Sequence, residues 1–118
     1  MRSFADWNDR KARGWTGFKL NQLQEIATQF DLVHGQVRVQ NYEIHHYLFT
    51  CQELFLFGTV KLYSGLDNTQ LSDCIFCGCS RQWSTGFKWF LNYVDDRYRH
   101  VVSMGGLTRE VHNFPRYA

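Results

Sequence analysis

The chain has one proline in 118 residues, no Asn-x-Ser/Thr acceptor and no long apolar run. Its longest aliphatic-aromatic stretch is Leu54-Phe55-Leu56-Phe57, far short of the ~20 residues that span a bilayer. Asp6 and Asp9 stand where a secretory leader needs an apolar core, so the expected setting is intracellular, nuclear or cytoplasmic, with no membrane partner. Charge of one sign is also missing. Thirteen Lys and Arg against 11 Asp and Glu leave a net charge of +2, so binding by bulk phosphate neutralisation is not indicated and any nucleic-acid contact would need a local patch. No phosphate-binding glycine loop, HExxH pair or nucleophile elbow occurs. Asp95-Asp96 are adjacent carboxylates that diverge on a helix end, and His45-His46 lack the spacing that puts two rings on one side of a strand. The reading is therefore of a protein that is not an enzyme.

What the chain has in excess is aromatic surface. Phe, Tyr and Trp make up 17 % of it, enough apolar area to offset the ordering entropy of a chain this size and to exclude intrinsic disorder. Residues 1–13 are polar, end in Arg10-Lys11-Ala12-Arg13 and read as a surface arm; residues 14–118 read as one compact domain. Leu20, Leu23, Ile26, Ala27 and Phe30 recur at steps of three and four, which predicts a helix over 19–32 with Gly35 as a left-handed stop. Gln36 to Gln40 alternates and predicts a strand.

Residues 41–64 fit two readings. Ile44, Tyr47, Leu48, Cys51, Leu54 and Phe55 lie on one helical face with Asn41 as a cap, yet the same stretch is rich in strand formers. Helix over 42–57 followed by strand over 59–63 is preferred. Residues 64–80 read as a loop. Ser84 or Thr85 then caps a second amphipathic helix whose Phe87, Phe90, Leu91, Val94 and Tyr98 share a face. Val101 to Met104, Gly105-Gly106 and Leu107 to Phe114 predict a C-terminal hairpin. The fold class is α+β. Arg13 to Lys19 also echoes Arg81 to Lys88, each copy leading into a predicted helix.

Two constellations could carry chemistry. Cys74-x2-Cys77 has the spacing that points two thiolates at one zinc ion, with Gly78 permitting the tight turn. Further ligands could come from Cys79, Cys51 or His45, with His46, His34, His100 and His112 as additional imidazoles. Against this stands the ordinary reading of reduced cysteines as small buried hydrophobes. A helix over 42–57 would separate His45 from Cys51 around its axis, whereas a strand would bring both to one side.

The second constellation is Arg81, Trp83, Lys88, Trp89, Tyr93, Arg97, Tyr98 and Arg99. Exposed aromatics stack on unpaired bases while Arg and Lys meet phosphates, a combination suited to single-stranded nucleic acid. The same residues could instead form a face that docks on a host or viral protein.

Gly14-Trp15-Thr16-Gly17-Phe18, Ser72-Asp73-Cys74-x2-Cys77 and Tyr93-Val94-Asp95-Asp96-Arg97-Tyr98-Arg99 together resemble the small non-structural nuclear phosphoprotein of bocaparvoviruses. That resemblance implies a nuclear accessory protein supporting viral DNA replication and transcript processing. The chain departs from the family in lacking an Arg/Ser-rich leader and in a longer gap between the cysteines and the Asp pair. His45 to Cys51 followed by Cys74-x2-Cys77 is similar to the zinc element of lentiviral virion infectivity factors, which implies recruitment of a ubiquitin ligase. Both resemblances imply a small viral accessory regulator acting by binding, either to nucleic acid or as a protein-interaction adaptor.

Overall fold

A computed structural model describes residues 3–40, 46–77 and 80–103. Order begins earlier in the chain than a polar arm would allow. Phe4–Asp6 forms a 3-10 turn, and α1 (Asp9–Thr16) follows, its first turn capped by Asn8, whose Oδ1 accepts the Lys11 N–H at 2.9 Å. Trp7 and Ala12 are buried, so this polar segment is part of the domain: two apolar anchors suffice to fasten it.

Helix α2 (Leu20–Gln29) buries Leu23, Ile26 and Ala27, the face its periodicity predicts. It ends earlier than Gly35, in a Schellman turn: Asp31 N–H donates to the Thr28 carbonyl, Leu32 N–H to the Ala27 carbonyl, and Asp31 takes φ 61°. Gly35, at φ 100°, instead turns the chain into β1 (Gln36–Gln40). That strand pairs antiparallel with β2 (His46–Thr50), Val37 opposite Phe49 and Arg38 opposite Leu48.

The preferred order of helix then strand across 42–63 is overturned. Residues 46–50 are strand, and α3 runs from Cys51 to Ser64. A capping box sets the switch: Thr50 Oγ1 accepts the Glu53 N–H at 3.1 Å and Glu53 Oε1 accepts the Thr50 N–H at 3.0 Å. Every residue from Leu54 to Val60 is buried, because α3 is the central element, packed by α1, β2, α4 (Asn68–Leu71) and α5 (Ser80–Ser103). A helix covered all round shows no amphipathic period.

The expected loop over 64–80 contains α4 and a π-helical turn, Ser72–Phe76. Helix α5 starts at Ser80, upstream of the expected caps at Ser84 and Thr85, and continues through Val101 to Ser103, where a strand was expected. The rest of the expected hairpin lies outside the described residues. The fold is a single α+β domain, mostly helical, with a two-stranded antiparallel sheet among the described residues packed beside the central α3. Among the described residues no helix is long and apolar enough to cross a membrane.

Candidate binding surface

Helix α5 positions the aromatic-basic residues, and its own packing divides them. Trp83, Gly86, Phe90 and Val94 are buried. At about 100° per residue they form one face, held against α3 and β2. Trp83 is therefore core and not a binding residue: it stacks on Phe57 at 4.6 Å between ring centroids, tilts against Phe49 at 4.8 Å, and its Nε1–H donates to the Cys77 carbonyl at 2.7 Å. Its neighbours Arg81, Lys88 and Arg99 lie on the exposed side.

Trp89 and Tyr93 occupy the flank between these faces. Both are half-buried, and their rings stack at 4.9 Å with 20° between planes. Tyr98 is also half-buried but falls on the opposite flank, beside Leu91. Arg97, one turn beyond Tyr93, is half-buried with its Nε shielded from solvent and without a hydrogen-bond partner. Arg99 pairs with Asp95 at 3.1 Å, an i, i+4 surface pair of small energetic worth. Of the eight residues, the fold thus makes the stacked Trp89–Tyr93 pair into one accessible aromatic patch, with Arg97 a further turn along the same flank and exposed Lys88 about 100° round the helix from Trp89.

Acidic groups border that patch. Burial pushes the Tyr93 phenol up from its ordinary range, and the Asp31 carboxylate adds to this, with smaller upward contributions from Cys51 and Asp96 and an opposing one from Arg97. The phenol is protonated at neutral pH and available as a donor. Asp31, at the C-terminal turn of α2, and Cys51, at the start of α3, thereby sit within electrostatic reach of α5.

The candidate zinc ligands are distributed differently from a four-ligand cluster read along the sequence. Cys51 is buried in the first turn of α3, where a Cβ added at Gly35 would come 3.6 Å from its Sγ. Burial, and next the Asp31 charge, push its thiol up, which opposes the thiolate a metal needs. Cys77 is exposed at φ 60°, immediately after the π-helical turn that contains Cys74. His45 and Cys79 lie outside the described residues, as does the Cys74 side chain. Among the described residues no group of three or more His, Cys, Asp or Glu side chains is arranged to hold a metal.

The echo between residues 13–19 and 81–88 has no structural counterpart. The first copy closes α1 and enters α2, whereas the second lies inside α5. A surface not singled out by the sequence reading is an open groove along α1 lined by Asn8, Arg10, Lys11, Gly14 and Trp15. Its signal was present as i, i+1, i+4, i+5 spacing behind the Asn8 cap.

No protein-family model matches the chain, and no curated protein or solved structure shows significant similarity to it.

Proposed function

We propose that the protein acts by binding, as a small accessory regulator that holds single-stranded nucleic acid against the Trp89–Tyr93 patch of α5, with Arg97 and Lys88 as the cations on either side of it. The observation that carries this reading is the stacked Trp89–Tyr93 pair, half-exposed and within electrostatic reach of Arg97 one turn on. An unpaired base can extend such a stack while the ammonium meets the adjacent phosphate. The reading agrees with the accessory role that the bocaparvovirus resemblance implies, and it places the protein inside the cell. Zinc on Cys74 and Cys77 belongs to the same reading as a structural brace for the turn that precedes α5.

Anisotropy of a labelled single-stranded oligonucleotide tests it. Trp89→Ala with Tyr93→Ala is expected to weaken binding roughly tenfold or more, given the stacking energy per base, with an unchanged circular dichroism spectrum. The exposed Lys88→Glu variant does not depend on packing and should weaken binding in the same direction. Unchanged affinity in Lys88→Glu and in the aromatic pair removes the reading.

Leu48 and Tyr63 favour the adaptor reading, because they are large apolar side chains left 54 % and 53 % exposed. Of the two, Tyr63 is the residue type that commonly anchors a protein contact, and single exposed apolar residues are otherwise ordinary. A protein recovered in stoichiometric amount after nuclease treatment, and lost in Leu48→Asp, would establish that alternative.

A further inference from the structure

Helix α1 breaks two rules of helix stability at once. Arg10 and Lys11 stand in its first turn, where the positive end of the helix dipole repels cations. Gly14 stands inside the same helix, where glycine costs stability relative to alanine. Neither choice is explained by packing. Both cations are exposed, and a Cβ added at Gly14 would meet nothing within 4 Å. Residues that violate local rules with little internal compensation mark places where something outside the fold is served.

These residues lie on one exposed side of α1. With Asn8 and Trp15 they line a shallow groove of about 510 Å³ that is open to solvent. Trp15 is half-buried and packed partly on the core, so its indole forms a wall held by the fold. Lys11 is tethered at one end, its Nζ donating to the Asp6 carbonyl at 3.4 Å. Asn8 Oδ1 is committed to the Lys11 N–H, which leaves the amide nitrogen as what Asn8 can offer a ligand. The acidic residue of α1, Asp9, is turned toward α2, where its Oδ1 accepts the Leu20 N–H at 3.0 Å.

We infer that this groove binds a phosphorylated nucleoside. Arg10 and Lys11 supply charge for the phosphate, the Trp15 indole supplies a face for the base, and the missing side chain at Gly14 lets the ring or ribose approach the helix backbone. Either a free nucleotide or one residue of a single strand presents this chemistry. The inference is independent of the α5 patch, which shares no residue with the groove.

The test follows indole N–H signals of the isotope-labelled protein while adenosine monophosphate is added, with Trp15→Phe assigning the Trp15 signal. The Trp15 signal is expected to shift saturably, and inorganic phosphate or adenosine alone should bind at least tenfold more weakly. Gly14→Ala is the decisive variant. It should raise the denaturation midpoint, as alanine does inside a helix, and weaken the nucleotide at least fivefold. Arg10→Ala should weaken it similarly without changing the fold.

A trinucleotide that binds Trp15 more tightly than the monophosphate identifies a strand as the source; equal or weaker binding identifies the free nucleotide. The inference is overturned if the monophosphate leaves Trp15 unshifted, or if Gly14→Ala gains stability with no loss of affinity. Trp89→Ala with Tyr93→Ala should leave the Trp15 response intact, so failure of the α5 reading is separable from failure of this one.

Discussion

Asp31 holds φ 61°, a left-handed conformation that costs most side chains stability and that glycine or asparagine adopts more readily. Its carboxylate contributes, after burial, to raising both the Cys51 thiol and the Tyr93 phenol. The folded protein thus keeps two protons that the unfolded chain releases at the ordinary values of 9.0 for Cys and 10.0 for Tyr. A native state that binds more protons loses stability as pH rises. The contribution is whole below the unfolded values and declines from pH 9 upward through the raised folded ones. Asp31→Asn keeps a residue that tolerates the turn and removes the charge. Urea midpoints measured between about pH 8 and pH 10.5 should therefore fall less steeply in Asp31→Asn than in the parent chain. Equal slopes would show that burial alone holds these protons.

At the scale of elements, the decisive contact is between α3 and α5. Gly58 on α3 lies under the Phe90 ring, so that a Cβ there would overlap it, and a Cβ at Gly86 on α5 would come 2.6 Å from Leu54 Cδ2. The two helices approach through absent side chains, one on each. Gly58→Ala must push Phe90 from the core, and overpacking of this kind costs about 1–3 kcal/mol. A lowered denaturant midpoint with unchanged slope is the expected result, whereas an unchanged midpoint would mean that Phe90 can move aside freely.

The same contact explains what could be read from the chain alone. Helix α2 was legible because Leu23, Ile26, Ala27 and Phe30 cover only one face, and β1 because Val37 and Val39 alternate with exposed Gln36 and Arg38. Helix α3 was not, because burial from Leu54 to Val60 erases the period. Its readable start was the Thr50-x-x-Glu53 box, obscured by apolar residues on its N-terminal side that fit a helix equally well. On α5, spacing places Phe90 and Val94 in the core but leaves Trp83 on the surface, since caps at Ser84 or Thr85 put it before the helix start. The Trp89–Tyr93 pair was legible as chemistry; that Tyr98 leaves its surface while Arg97 stays on its flank follows only once α5 has a fixed core face.

For the whole molecule, the aromatic excess is mainly a packing device. Phe57 contacts Phe76, Trp83 and Phe87 at 5.2, 4.6 and 6.3 Å between centroids, and Phe49 joins through Trp83. This cluster joins β2, α3, the π-helical turn and α5, so elements distant in sequence share one set of rings. Trp83 also ties the cluster to the cysteine turn through the Cys77 carbonyl. Trp83→Phe retains an aromatic ring but gives up that hydrogen bond and shrinks the stack, at an expected cost of about 2–4 kcal/mol from the lost hydrogen bond and the cavity together. If the turn carries zinc as proposed, elemental analysis should find one ion per chain, absent from Cys77→Ser. Chelation should then lower the thermal midpoint of the parent chain. Because both perturbations act on Cys77, their effects should not add: chelation is expected to cost less stability in Trp83→Phe, where the Cys77 end of the turn is already loosened although Phe76 stays in the core. Strict additivity would show that metal and ring cluster hold separate parts of the molecule.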